Sequence, residues 1–120
     1  MLSLTQRRAL TLAEVREILS AEVLIGSDLS SPVELIEAAD LMSDVLALSK
    51  PGMLLLTGLL NPQVIRTAVI ADLCGVVLVR GKKPSPDILG LARESNLALL
   101  STSLSMFEAA GLLYCAMTGK

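Results

Sequence analysis

From residue 53 onward, continuous apolar runs alternate with segments whose apolar residues recur at helical spacing. "MLLLT" (53–57), "GVVLVR" (75–80) and "LALLS" (97–101) are uninterrupted apolar stretches rather than alternating ones. Runs of that kind mark strands buried on both faces, as parallel strands are when helices cover them. Helices are predicted over 62–73, over 86–95 and from residue 105. The first half begins with a helix over 12–20 and a short strand, "EVLIG" (22–26), stopped by Gly26. A polar loop, "SDLSSP" (27–32), leads to "VELIEA" (33–38), whose apolar–acidic alternation fits a half-exposed edge strand. "DLMSDVLALS" (40–49) returns to helical spacing and closes at Lys50-Pro51-Gly52, residue types that favour a turn.

Capping chemistry marks the helix starts independently. Thr11 with Glu14, and Ser105 with Glu108, have the spacing of capping boxes. Asn61 precedes Pro62, and Ser85 precedes Pro86 with Asp87 in the first turn, so a cap residue stands before a proline at the first helical position. Strand, helix, strand, helix then describes a three-layer α/β domain with a mainly parallel sheet of about five strands and helices on both faces. Linkers are short and no internal repeat appears, so residues 1–120 read as one domain.

Composition changes the picture in two ways. The apolar fraction is 52% and the charged fraction 18%, against roughly 25% charged in an average soluble domain. Less polar surface than a small monomer wants implies that a second copy or a partner protein covers some of it. Aromatic residues are almost absent, with Phe107 and Tyr114 and no tryptophan, and the net charge is −2. Without stacking surfaces or a basic excess, nucleic acid is not expected as a partner. Asp72 interrupts the longest apolar candidate, leaving no run of the roughly 18 residues that span a membrane. The N-terminal "MLSLTQRRALTL" has no signal-peptide core, so a cytoplasmic location away from membranes is expected.

The chemistry available is narrow. There is no histidine, and Cys74 and Cys115 stand alone among apolar neighbours, as buried inert thiols do. No Cys-x-x-Cys, metal-ligand spacing, P-loop or G-x-G-x-x-G is present. No catalytic constellation, metal site or cofactor is expected.

Ligands of an open parallel sheet sit beyond the carboxyl ends of its strands. Three such ends are legible: Thr57-Gly58 leading to Asn61, "RGKKPSP" from Arg80 to Pro86, and "STSLS" from Ser101 to Ser105. Brought together, Thr57, Gly58, Asn61, Arg80, Lys82, Ser101, Thr102 and Ser103 would form a rim for a small anionic ligand such as a nucleotide phosphate, with helix amides behind it. Residues 1–44 carry eight acids and three bases, a net −5, while residues 45–120 carry four acids and seven bases, a net +3. The basic excess thus falls in the half that supplies the rim. Routine capping and a solvated Lys-Lys-Pro loop account for the same residues without a ligand.

Three other features admit two readings each. Arg66, one turn into its helix, either reaches over the rim to the ligand or forms a structural salt bridge. Asp40, Ser43 and Asp44 either hold a cation or cap a helix and favour its dipole. Ala109, Ala110 and Gly111 make a narrow helix face, for core packing or for close approach of another chain.

Residues 40–114 resemble a DRTGG domain. The resemblance rests on the segment from Asp40 to Asp44, Lys50-Pro51-Gly52, Thr57-Gly58 with Asn61-Pro62, Arg66-Thr67, Val79-Arg80-Gly81 and Ser105-Met106-Phe107-Glu108. With "EVLIG" and its preceding helix, it covers nearly the whole chain. The string Asp-Arg-Thr-Gly-Gly itself does not occur. DRTGG domains are similar to the N-terminal, non-catalytic domain of HPr kinase/phosphorylase, whose "LLxTxLS" ending is echoed by residues 99–105. They occur fused to CBS domains and phosphotransacetylases, and alone beside iron-only hydrogenase and sensor-kinase-like proteins. The resemblance implies a compact α/β regulatory or ligand-sensing module. The alternative it leaves is an interaction subunit that docks on a partner enzyme of a hydrogenase or sensor-kinase system without any ligand.

Overall fold

The computed structural model describes residues 8–119. Its main sheet has five strands: β2 (Glu22–Ile25), β4 (Leu35–Ala38), β5 (Met53–Thr57), β6 (Gly75–Leu78) and β7 (Ala98–Ser101), in spatial order β2-β7-β6-β5-β4. The four strands from β4 to β7 are mutually parallel, and β2 runs antiparallel along the outside of β7. A small antiparallel pair, β1 (Leu10–Thr11) with β3 (Pro32–Val33), stands apart. The helices are α1 (Leu12–Leu19), α2 (Met42–Leu48), α3 (Pro62–Ile70), α4 (Pro86–Glu94) and α5 (Met106–Thr118).

Alternation along the buried strands divides the core into two layers. Leu54, Leu56, Val77 and Leu100 face α1 and α5, and their cluster includes Leu12, Val15, Leu19, Ala109 and Leu113. Met53, Leu55, Val76 and Leu99 face the other way, into a cluster with Val45 of α2, Val64 and Ile65 of α3, and Ile88 of α4. The uninterrupted apolar runs thus have the cause expected of them, since both faces of each strand are covered. The expected helix starts are also realised: Thr11 and Ser105 form full capping boxes, and Asn61 and Ser85 accept from the amides of Val64 and Ile88.

Some expectations need correction. "VELIEA" is not one strand: Pro32–Val33 pairs with Leu10–Thr11, and only Leu35–Ala38 joins the main sheet, at its edge. Val33 turns fully into the α1–α5 layer, which diverts the chain before the sheet is reached. "GVVLVR" ends as a strand at Leu78, and Arg80 lies in the left-handed region with φ 61°. Partial burial pushes the Cys74 thiol up to about 11, whereas Cys115 is exposed on α5. No described helix is long and apolar enough to cross a membrane.

Among the described residues, one buried side-chain polar atom has no partner. Thr67 on α3 is 1% exposed, and its Oγ1 makes no hydrogen bond. A buried hydroxyl in that state costs free energy that an apolar isostere avoids. Thr67→Val is expected to raise the unfolding free energy by about 1 kcal/mol, read from the midpoint of a urea titration. A fall of that size would show that the hydroxyl is bonded in solution.

Candidate functional site

The carboxyl ends of β5 and β6 meet the connection from β4 to α2 at one corner of the rim. Thr57 and Gly58, at the end of β5, are buried, and both donate to the same oxygen. Thr57 Oγ1 lies 2.9 Å and Gly58 N 2.8 Å from Asp40 Oδ1. Thr57 Oγ1 also accepts from the amide of Leu59, at 3.2 Å, which shapes the turn toward α3. The strand-to-helix turn is therefore an anion cradle, and the anion in it is a side chain of the protein.

Arg80 closes the corner from the β6 side. Val79 N donates to Thr57 O at 3.0 Å, and then Arg80 and Gly81 both turn left-handed, with φ 61° and 66°. A left-handed arginine is strained, and such strain persists only where the surroundings hold it. Here two backbone bonds do so: Arg80 N donates to Leu104 O and Gly81 N to Thr102 O, each at 2.8 Å. The turn aims the guanidinium over Gly58, where a Cβ would overlap it and come within 3.2 Å of Cζ. Absence of a side chain at Gly58 makes room for the arginine.

The local field fits this geometry. Asp40 is held below the ordinary carboxylate range, first by the Gly58 amide; partial burial is the next largest effect and opposes it, and the Thr57 hydroxyl and the positive charges of Arg80 and Lys82 add to the lowering. A carboxyl lowered in the folded state stabilises it above the ordinary value of about 3.9, and the contribution is lost as pH falls through the lowered one. Neither base is locked in a close ion pair, because the ion pairs within 4 Å among the described residues are Arg8–Glu14 and Arg16–Glu17. Arg80 remains exposed.

The other expected rim residues have separate places. Ser101 Oγ donates to Lys82 O at 3.0 Å and anchors the loop that carries the lysine. Thr102 is buried, and its hydroxyl donates to Leu19 O at 2.8 Å, away from solvent. Ser103 is exposed at the surface. Asn61 caps α3 through its Oδ1. Arg66 is exposed and lines a groove between α3 and α4 with Pro62, Pro86, Asp87, Gly90 and Glu94; it belongs to neither of the ion pairs above. The structure thus brings together Thr57, Gly58, Arg80 and Lys82, with Ser101 supporting them.

Asp40 is the residue whose role the sequence concealed. It is not a cap: Leu41 occupies the N-cap position of α2, where no side chain bonds the free amides. From the residues themselves the signal was an acid just before a helical pattern, which capping explains equally well, and the resemblance marked the Asp40-to-Asp44 segment without giving Asp40 a role. Its actual partners lie 17 and 18 residues away.

Comparison with known proteins agrees with this architecture. A family model for the DRTGG domain matches residues 14–115. Among solved structures, the CBS and DRTGG domains of the regulatory region of Clostridium perfringens pyrophosphatase, complexed with the activator diadenosine tetraphosphate, match with a TM-score of 0.74. Identity is 18%, over 90% of this chain and 47% of that one, so the likeness is one of fold and the chain spans about half of that regulatory region. No curated protein matches the chain.

Proposed function

The chain belongs to the DRTGG domain family, and on that premise we propose that it is a non-catalytic regulatory module that binds a small anionic ligand at the corner formed by Asp40, Thr57, Gly58, Arg80 and Lys82. One observation carries the reading. Arg80 is held in a strained left-handed conformation by two backbone bonds, with its guanidinium over a glycine and, among the described residues, no carboxylate within 4 Å. Strain maintained to present an exposed, unpaired guanidinium beside two cradle donors serves recognition better than stability. Phosphate is the favoured chemistry, since arginine and backbone amides match its oxygens. The pyrophosphatase regulatory region, bound to a dinucleotide with a phosphate chain, supports that ligand class by analogy of fold. Neither a histidine nor, among the described residues, a cluster of three metal-ligating side chains is available for a reaction.

The test is a thermal-shift series on the purified chain with inorganic phosphate, pyrophosphate, adenine and guanine nucleotides and diadenosine tetraphosphate. A ligand at about 100 times its Kd stabilises the folded state by about 2.7 kcal/mol, which raises the midpoint by several degrees. The double variant Arg80→Ala with Lys82→Ala is expected to abolish that rise while leaving the unliganded midpoint within about a degree or two, because Arg80 is exposed, Lys82 is only partly buried and neither is in a close ion pair among the described residues. A flat series removes the anion reading. It leaves a second one, docking on a partner enzyme through α5, where Phe107 is 87% exposed and a Cβ at Gly111 would touch nothing. That helix glycine has no internal packing reason, although it costs about 1 kcal/mol relative to alanine.

A further inference from the structure

We propose that the Asp40 carboxylate is a tethered competitor for the ligand and that displacing it releases α2, so that occupancy of the corner is reported as a change in that helix. The proposal rests on the anion-binding reading above and goes on to say how binding is transmitted.

Competition follows from the donors. Thr57 Oγ1 and Gly58 N are the two groups that the end of β5 turns toward the corner, and one oxygen of Asp40 takes both. An incoming anion that uses the same donors cannot share them with a carboxylate, because two negative charges in one small site repel. Arg80 and Lys82, whose charges already favour the ionised Asp40, favour the incoming anion by the same interaction. Exchange of one anion for another therefore leaves the corner satisfied. What changes is the segment to which Asp40 is attached.

That segment is divided at Asp40 itself. Before it, the chain is fixed: Ala38 is in register with Leu56 on β5, and Ala39 N donates to Leu56 O at 3.0 Å. After it comes α2, which is held to the core by the buried Val45 and the partly buried Met42 beside α3. The helix has seven residues and no side-chain cap, and its single buried residue is Val45. Helices this short are marginal unless tertiary contacts hold them. Leu41, Leu46 and Leu48 are exposed on and beside α2, so its motion would change how an apolar surface is presented to a partner. Asp40 is the link from this lightly held helix to the rigid end of β5.

The experiment is amide hydrogen exchange on the whole chain, with pyrophosphate as the probe and thermal shift as the record of binding. Saturating pyrophosphate is expected to speed exchange of the amides of residues 42–48 about tenfold while α3 is unchanged, since local opening sets these rates. Asp40→Asn keeps the shape and loses the charge. It is expected to show the faster α2 exchange without ligand, and to bind pyrophosphate about tenfold more tightly, a difference of about 1.4 kcal/mol. Pyrophosphate that binds the native chain but leaves residues 42–48 unchanged or slower overturns the proposal, and so does an Asp40→Asn variant that binds no more tightly. Failure of the native chain to bind any phosphate compound overturns the anion reading itself, and this proposal with it. The native-chain arm needs no substitution, so it stands even if the variant folds poorly.

Discussion

Leu56→Ala is expected to lower the unfolding free energy by about 3 kcal/mol, the usual cost of a leucine-sized cavity in a core that cannot collapse around it. Leu56 is 0% exposed on β5, in register with Ala38 of β4 and Val77 of β6, and it lies in the layer that α1 and α5 cover. Strands on both sides and helices above leave no neighbour free to move into the space. With total stabilities of about 5–15 kcal/mol, such a loss removes a large share of the whole. In urea the midpoint should fall by roughly 1.5 M, taking a slope near 2 kcal/mol per molar. Leu46→Ala on α2, where the side chain is exposed, should change it by less than about 0.5 kcal/mol. Equal effects at the two positions would sink the assignment of Leu56 to a closed core.

That contrast was readable along the chain, and its cause explains what else was readable. "MLLLT", "GVVLVR" and "LALLS" declared themselves because burial on both faces removes polar residues from every position. Thr11, Asn61, Ser85 and Ser105 declared the helix starts because an unsatisfied amide selects a short polar side chain locally. What did not declare itself depends on distant parts of the chain. Glu22–Ile25 runs antiparallel on β7, a choice made by where the chain returns rather than by its own residues. The pairing of Leu10–Thr11 with Pro32–Val33 spans two-residue strands, too short to carry a period.

The candidate site divides in the same way. Thr57-Gly58 and Arg80 were legible as strand ends, and the sheet brings them together because β5 and β6 are parallel neighbours. Asp40 was legible as a cap or cation ligand and as part of the Asp40-to-Asp44 segment of the family resemblance, but not as the acceptor of Thr57 and Gly58, since nothing local predicts a bond to a residue 17 positions away. Gly58 could be read as a turn glycine, but its need is set by the guanidinium arriving from β6. Hydroxyl residues were the least decipherable. Ser101, Thr102 and Ser103 are adjacent and chemically alike, yet one anchors a loop, one is buried and one faces solvent.

Thr102→Val separates the buried hydroxyl from a ligand role, and it is expected to cost about 2 kcal/mol of stability without touching anion binding. Thr102 is 1% exposed, and its Oγ1 donates to Leu19 O at 2.8 Å and accepts from Leu104 N at 3.3 Å. Valine fills the same volume but leaves the carbonyl at the end of α1 without that donor and the amide of Leu104 without that acceptor. An orphaned buried group costs about 1–3 kcal/mol, more than the net worth of the bond itself. Thr102→Ser restores both bonds and gives up one methyl group, about 0.8 kcal/mol, so serine should be the milder change. A ligand role predicts the reverse pattern: valine would leave the unliganded midpoint nearly unchanged and abolish the ligand-induced rise. The structural role predicts a lower midpoint with the rise intact, because Arg80 and Gly81 are still clamped through the backbone oxygens of Leu104 and Thr102. Thermal melts of the valine and serine variants, with and without pyrophosphate, distinguish the two.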